Sequence, residues 1–310
     1  MAKYIIRRVI YMFITFFLIA TATFFLMKAL PGSPISSAPK LSPSQLAMVE
    51  AKYGLDQPVA VQYGKYMLNL AKGDLGNSFQ FKNASVTDLI VKRMGPSFLI
   101  GSQGLILGVA VGILLGMIAA LRQNTIWDYG STLIAIVGIS IPSFVFATML
   151  QYWLAVKLGY FPVALWKDGW MSSVLPSIAL AMGPLATSSR FIRTEMIEVL
   201  SSDYITLAKS KGASGFEVAF KHAFRNALIP LVTVLGPLAA GLVTGSLVIE
   251  QIFAIPGIGE QFVKSIVSND FSIIMGTTLF YSAFLIVIIF VVDILYGIID
   301  PRIRLSGGSN

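Results

Sequence analysis

The chain has 310 residues, 55% of them hydrophobic and only 12% charged, with a formal net charge of +8. A water-soluble domain carries about 25% charged residues, so the composition excludes an ordinary soluble fold and places the chain in the membrane class. Cysteine is absent and His222 is the single histidine, which excludes a disulfide framework, a cysteine nucleophile, a zinc finger and a metal cluster built on several histidines.

A bilayer core of about 30 Å is crossed by about 20 apolar helical residues. Residues 9–30 form the first such stretch, after Lys3, Arg7 and Arg8. Its apolar run is longer than that of a signal peptide, and Leu30-Pro31-Gly32 is not a small-x-small cleavage site, so a retained helix is expected. Between residues 31 and 93, two amphipathic stretches (42–53 and 59–70) predict short surface helices. Five further spans follow at 98–121, 130–156, 174–189, 227–249 and 273–298. Pro176, Gly183 and Pro184 interrupt the fourth. Such breaks persist in membranes where neighbours or water satisfy the freed backbone groups, which fits a pathway-lining helix or a kink used in packing.

The basic residues fall between apolar spans, as the positive-inside bias requires and nucleic-acid binding does not. Six spans put Lys3, Arg7 and Arg8 on the same side as Arg122, the 190–226 loop and Arg302 and Arg304 of the tail. The opposite short loops hold only Lys157, Lys167 and Lys264. Both termini are therefore expected in the cytoplasm, with residues 31–93 outside. That outer segment also carries basic residues, but its length approaches the limit at which loops translocate regardless of charge.

The 201–230 loop encodes two helices with a corner. Asp203 is the expected N-cap, Lys209 and Lys211 favour the helix C-terminus, and Gly212 supplies a left-handed stop. Ser214-x-x-Glu217 is a capping box that starts the second helix, which passes His222 toward Pro230. Tyr204, Leu207, Ala208 and Lys211 share one face of the first helix by their spacing. A short capped helix with an apolar face rests either on lipid headgroups or in a protein partner.

Ala208-x-x-x-Gly212 between the fourth and fifth spans resembles the coupling loop of ABC-importer permeases, although Thr206-Leu207-Ala208 stands where that loop's Glu-Ala-Ala does. The fuller pattern is similar to the peptide branch of the family: Asp203-Tyr204-x-x-x-Ala208-Lys209-x-Lys211-Gly212, then His222-Ala223-x-Arg225-Asn226-Ala227-Leu228-Ile229-Pro230. Gly54-Leu55-Asp56-Gln57-Pro58, Gly73-Asp74-Leu75-Gly76-x-Ser78, Phe253-Ala254-Ile255-Pro256-Gly257-Ile258-Gly259 and Asp300-Pro301-Arg302-Ile303-Arg304 resemble other segments of peptide permeases, the oligopeptide B-type subunit in particular. On their own these glycines read as turn residues, Asp74 as a turn cap and Asp300-Pro301 as a helix stop.

The resemblance implies an all-α integral membrane protein with the type I ABC importer permease fold and an extracytoplasmic insertion between its first two transmembrane helices. Its parts would be residues 1–94, a permease core at 95–300 holding the coupling loop at about 190–226, and a cytoplasmic tail at 301–310. It further implies a bacterial cell-membrane subunit that works with a second, C-type permease, two ATP-binding subunits and an extracytoplasmic peptide-binding protein. Coupling to the ATPases would run through Tyr204, Leu207, Ala208, Lys211 and Gly212.

The chain carries no phosphate-binding loop, no His-Glu-x-x-His and no Gly-x-Ser-x-Gly. No ATPase site, cofactor or metal is therefore expected in it, and ATP would be bound by partner subunits. Glu250 and Asp293 lie near span ends, within reach of the interface, and are not read as a proton relay. Small and hydroxyl residues recur in the spans, among them Gly101, Gly104, Gly108, Gly112 and Gly116. They fit close helix packing or a polar wall without strong charge preference. The expected function is that of a peptide importer permease, with oligopeptides as the expected substrate. The alternative within the family is transport of dipeptides, nickel or another small solute. A membrane-embedded enzyme would need titratable groups clustered at membrane depth, and a passive channel would not need the capped corner.

Overall fold

A computed structural model describes residues 2–29, 44, 47–48, 50–51, 54–81 and 84–299. The described residues are largely helical, and the isolated bridge between Asn77 and Ser85 is the β pairing found among them. Five helices are long and apolar enough to cross a membrane: Ile5–Ala29, Val86–Leu121, Met171–Leu200, Pro230–Ile252 and Phe271–Ile294. Ile126–Ser140 and Ser143–Lys157 form a sixth crossing if the pair is taken as one broken span. The all-α architecture of about six spans is thus observed. The predicted helix at 59–70 is present as Val59–Ala71. Most of the predicted 42–53 helix and the whole 301–310 tail lie outside the described residues.

Three spans depart from the sequence reading. The third is not straight: its halves meet at 102°. Ile141 precedes a proline and is held extended (φ −83°, ψ 120°), because the proline ring clashes with a helical residue before it. The fourth runs through 30 residues, Met171–Leu200. It carries Arg190 and Arg193 on the helix rather than in a loop. Pro176 and Pro184 are buried inside it. The fifth span is broken, its first helix ending at Val243. Gly245 then takes φ 112°, and a separate Leu247–Ile252 helix follows. That break carries Glu250 inward to zero exposure, where it accepts a hydrogen bond from Ser97 Oγ at 2.7 Å. The expectation that Glu250 reaches the membrane surface is corrected: a straight helix would have taken it there, and the turn at Gly245 does not.

The chain divides into two compact units. In the unit made of residues 1–95 and 257–286, helix 59–71 packs along the second half of the first span. The Tyr63 hydroxyl and Thr21 Oγ1 share a hydrogen bond of 2.8 Å, and the Phe24 ring lies against Tyr63 and Tyr66. Asp270 is fully buried and organises the 78–81 turn, accepting from Ser78 Oγ at 2.5 Å and from the Gln80 amide at 3.2 Å. Glu260 takes hydrogen bonds from Arg93 Nη1 (2.8 Å) and Lys264 Nζ (2.6 Å). Gly54, Gly73 and Gly76 all sit at positive φ, and Asp74 Oδ1 caps the Gly76 amide at 2.8 Å, as turn residues do.

In the unit made of residues 96–256 and 287–310, the 171–200 helix is the hub. Glycines of the 86–121 helix face it at successive turns. A Cβ on Gly104 would lie 2.8 Å from Leu180 Cβ, and one on Gly116 would lie 2.6 Å from the Ser189 carbonyl oxygen. Cβ atoms on Gly108 and Gly112 would run into the carbonyl oxygens of Ala181 and Leu185. These glycines serve close packing, because only a missing side chain lets two helix backbones approach this far. On another face of the same hub, Arg193 binds Asp128 through Nε–Oδ1 (2.6 Å) and Nη2–Oδ2 (2.8 Å).

Candidate functional site

The corner at 201–225 is built on the end of the 171–200 helix. Ser202 is the residue that precedes the next helix, with extended backbone (φ −78°, ψ 154°). Its hydroxyl donates back to Val199 O at 2.5 Å instead of capping. Asp203 is therefore the first helical residue and not the N-cap, because the tight Ser201-Ser202 turn ends one residue earlier than expected. Its carboxylate still lies in the first turn, where it favours the helix dipole.

The helix Asp203–Ser210 ends as expected at Gly212, with φ 88°. The Gly212 amide donates to Lys209 O (3.0 Å) and the Ala213 amide to Ala208 O (3.1 Å). This pair of bonds is the Schellman motif. A Cβ on Gly212 would meet no atom within 4 Å, so the backbone angle, and not space, requires glycine.

Ser214 Oγ accepts from the Glu217 amide at 3.2 Å. The Glu217 carboxylate pairs with Lys221 Nζ at 2.9 Å. The Lys221 hydrogen bond holds the Glu217 carboxyl below the usual glutamate range. One arm of the expected capping box is thus formed, while the glutamate turns to the lysine one helical turn ahead. The second helix is not uniform: Val218–Phe224 widens to a π-helical turn before Arg225–Val243 continues as α-helix.

The Tyr204 hydroxyl accepts from Asn226 Nδ2 at 2.8 Å, tying the short helix to this second helix, and Ile205 is fully buried. Beneath the corner, Met117, Ile192, Met196, Ala223, Ala227 and Leu231 form one buried cluster.

The residues predicted from sequence come together. Tyr204, Leu207, Ala208, Lys211 and Gly212 line a single cleft of about 450 Å³, with Ala213, Glu217 and His222. Tyr204 and Leu207 are 44% and 55% exposed, so the helix has an apolar face that this chain leaves uncovered. Phe216 and Phe220, which do not line the cleft, are not singled out by the sequence. They stand 73% and 43% exposed, with ring centroids 4.4 Å apart. Their i, i+4 spacing behind Ser214 was the available signal. The cleft combines apolar side chains with Lys211, Glu217 and His222. Among the described residues no group of three His, Asp or Glu side chains is placed to hold a metal.

Comparison with known proteins gives a consistent match over the length of the chain. Residues 112–305 match the family model described as "Binding-protein-dependent transport system inner membrane component", and residues 1–98 match the N-terminal model of such membrane components. The chain is 48% identical to the dipeptide transport system permease protein DppB of Lactococcus lactis over 98% of this chain and 100% of that protein. It is 41% identical to the oligopeptide transport system permease protein OppB of Haemophilus influenzae, again over 98% of this chain and 100% of the relative. Among solved structures, it resembles one of the MetNI methionine ABC transporter in inward-facing conformations, with a TM-score of 0.55 and 18% identity over 69% of this chain and 97% of that one. This last likeness concerns the fold alone.

Proposed function

Because the chain belongs to the family of binding-protein-dependent transport system inner membrane components, we propose that it is a transmembrane permease subunit of an ATP-driven peptide importer. It is a multi-pass membrane protein. In this reading it sits in a bacterial cell membrane with both termini cytoplasmic. It pairs with a second, homologous permease subunit and two ATP-binding subunits, and it receives peptide from an external binding protein. ATP is bound and hydrolysed on the partner subunits. The motifs of the chain resemble the oligopeptide branch, whereas the Lactococcus relative is named for dipeptides, so peptide is the class the proposal names.

The observation that carries the proposal is the cleft at the corner. A helix of eight residues is too short to stand by itself in water. Here it is anchored by Ile205 and Tyr204, closed by Gly212, and presents Leu207, Ala208 and Lys211 outward. That is the form of a rigid knob that transmits movement between the membrane helices and a docked ATPase. ATP binding shifts the population between inward- and outward-open states only if the docked subunit distinguishes them.

Ala208→Glu tests the proposal. A carboxylate placed in a packed contact without a partner costs several kcal/mol. The assembled transporter in lipid discs is expected to lose peptide-stimulated ATP hydrolysis, while its external subunit keeps binding peptide. Full stimulation in the Ala208→Glu complex would remove the coupling assignment and leave the helix as a lipid-resting element.

A further inference from the structure

The 171–200 helix is the most deeply buried of the spans, yet one strip of its inner half stays open. Thr187, Arg190, Phe191, Thr194 and Glu195 recur at helical spacing along it, and with Ile139 they line a cleft of about 320 Å³. Arg190 and Glu195 have no hydrogen-bond or ion-pair partner among the described residues. Arg193, less than one turn away, is by contrast clamped by Asp128. The helix thus uses one arginine to fasten a neighbour and leaves another open.

Lipid is a poor occupant for this strip. Arg190 and Glu195 sit on a helix long and apolar enough to cross a membrane, and acyl chains do not solvate charged side chains, which turn instead to a bundle interior or to water. The neighbouring 126–140 helix shows what a lipid-compatible surface looks like in this chain: Leu133, Ile134 and Ile136 are exposed there, at 61%, 45% and 52%.

We propose that the Thr187–Glu195 strip is the inner wall of the translocation pathway, and that Arg190 and Glu195 hold the terminal carboxylate and ammonium of a short zwitterionic peptide. This assignment rests on the peptide-importer reading. The charges are complementary in sign. Five residues of α-helix set the two positions about 7.5 Å apart along the axis, and two residues of extended chain span about 7 Å. The cleft of about 320 Å³ has room for a dipeptide. The threonines add hydroxyl donors and acceptors for the peptide backbone, which does not vary with sequence.

The chain's lack of cysteine permits a direct test. Thr194→Cys is made in the full transporter in lipid discs, and modification of this chain by a membrane-impermeant thiol reagent is followed by mass spectrometry, with and without dialanine. The cysteine is expected to react, and dialanine is expected to slow the reaction. Adding Arg190→Gln or Glu195→Gln is expected to raise the dialanine concentration for half-protection about tenfold, the effect of losing one charged hydrogen bond of ordinary strength. Leu133→Cys is the lipid-facing control and is expected to stay unmodified. An unreactive Thr194→Cys, protection by no peptide, or half-protection unchanged by both charge variants would each overturn the assignment. Failure of the wild-type transporter to take up any peptide would instead bring down the importer reading, and the peptide part of this assignment with it.

Discussion

Arg193 holds Asp128 in a two-pronged ion pair, with Nε 2.6 Å from one carboxylate oxygen and Nη2 2.8 Å from the other. The aspartate side chain is only 3% exposed and the arginine 31%. Thr132 Oγ1 and the Asn124 amide also donate to the carboxylate. The pair ties the start of the 126–140 helix to the C-terminal part of the 171–200 helix, shortly before the 201–225 corner. Asp128→Ala leaves the guanidinium without its partner and is expected to cost about 3 kcal/mol. Replacing both residues with apolar ones of similar size should return much of that stability. Thermal unfolding of the purified chain in detergent, read for the single and double variants, checks this.

Gly212 gives a second expectation, because its requirement is conformational. With no atom within 4 Å of its missing Cβ, size alone should not matter there. Gly212→Val is expected to strain the left-handed position by more than about 1 kcal/mol, while Gly212→Asn is tolerated better. Membrane insertion should be near normal in both, with stimulated ATP hydrolysis of the complex lost mainly in the valine variant. Equal hydrolysis in the two would contradict this account of the corner.

The glycines of the 86–121 helix behave oppositely, since there the constraint is space. Gly108→Val would push a branched side chain into the Ala181 carbonyl oxygen and Pro184. It is expected to destabilise by about 3 kcal/mol or more. Gly64 lies in the 59–71 helix with open space around it. Gly64→Ala should gain about 0.5–1 kcal/mol, because alanine loses less backbone freedom on forming a helix. The yield of folded protein after detergent extraction, compared across both variants, separates the two kinds of glycine.

Glu260 supplies a pH dependence. Its partial burial pushes the carboxyl up, but hydrogen bonds from Lys264 and Arg93 outweigh this and hold it below the usual glutamate range. A folded-state value below the unfolded one means that the contribution is fully present above the ordinary glutamate pKa. It is lost as pH falls from there through the lower folded-state value. Unfolding temperatures measured from neutral to acid pH should fall more steeply in wild type than in Glu260→Gln, and the two curves should converge at the acid end.

Orientation can be read by labelling in intact cells. The charge asymmetry of the loops puts residue 214 and the tail inside and residue 38 outside. Ser214→Cys and Ser306→Cys should resist an impermeant thiol reagent, and Ala38→Cys should react. Reaction of Ser214→Cys from outside would invert the topology.

Composition and period by themselves determined the class and the helix count, because a bilayer demands long apolar runs and this chain has six regions of them. They also located the corner: glycine at 212 and serine at 214 act through local backbone chemistry, which needs only near neighbours in sequence. Tertiary structure alone decided what distant residues do. The bend at Ile141-Pro142 is written in the proline, but its 102° angle is read only from the folded chain. Glu250 looked like a span-end carboxylate, and became a buried one because the break at Gly245 turns its short helix onto the core. Gly104 through Gly116 have two possible uses in sequence, and the Met171–Leu200 backbone packed against them decides for close packing. Arg190 and Arg193 are three positions apart on one helix, and nothing local distinguishes them. One meets Asp128 and the other faces an open cleft, because a helix presents its faces to different neighbours, and which neighbour stands on each face is fixed only when the whole bundle assembles.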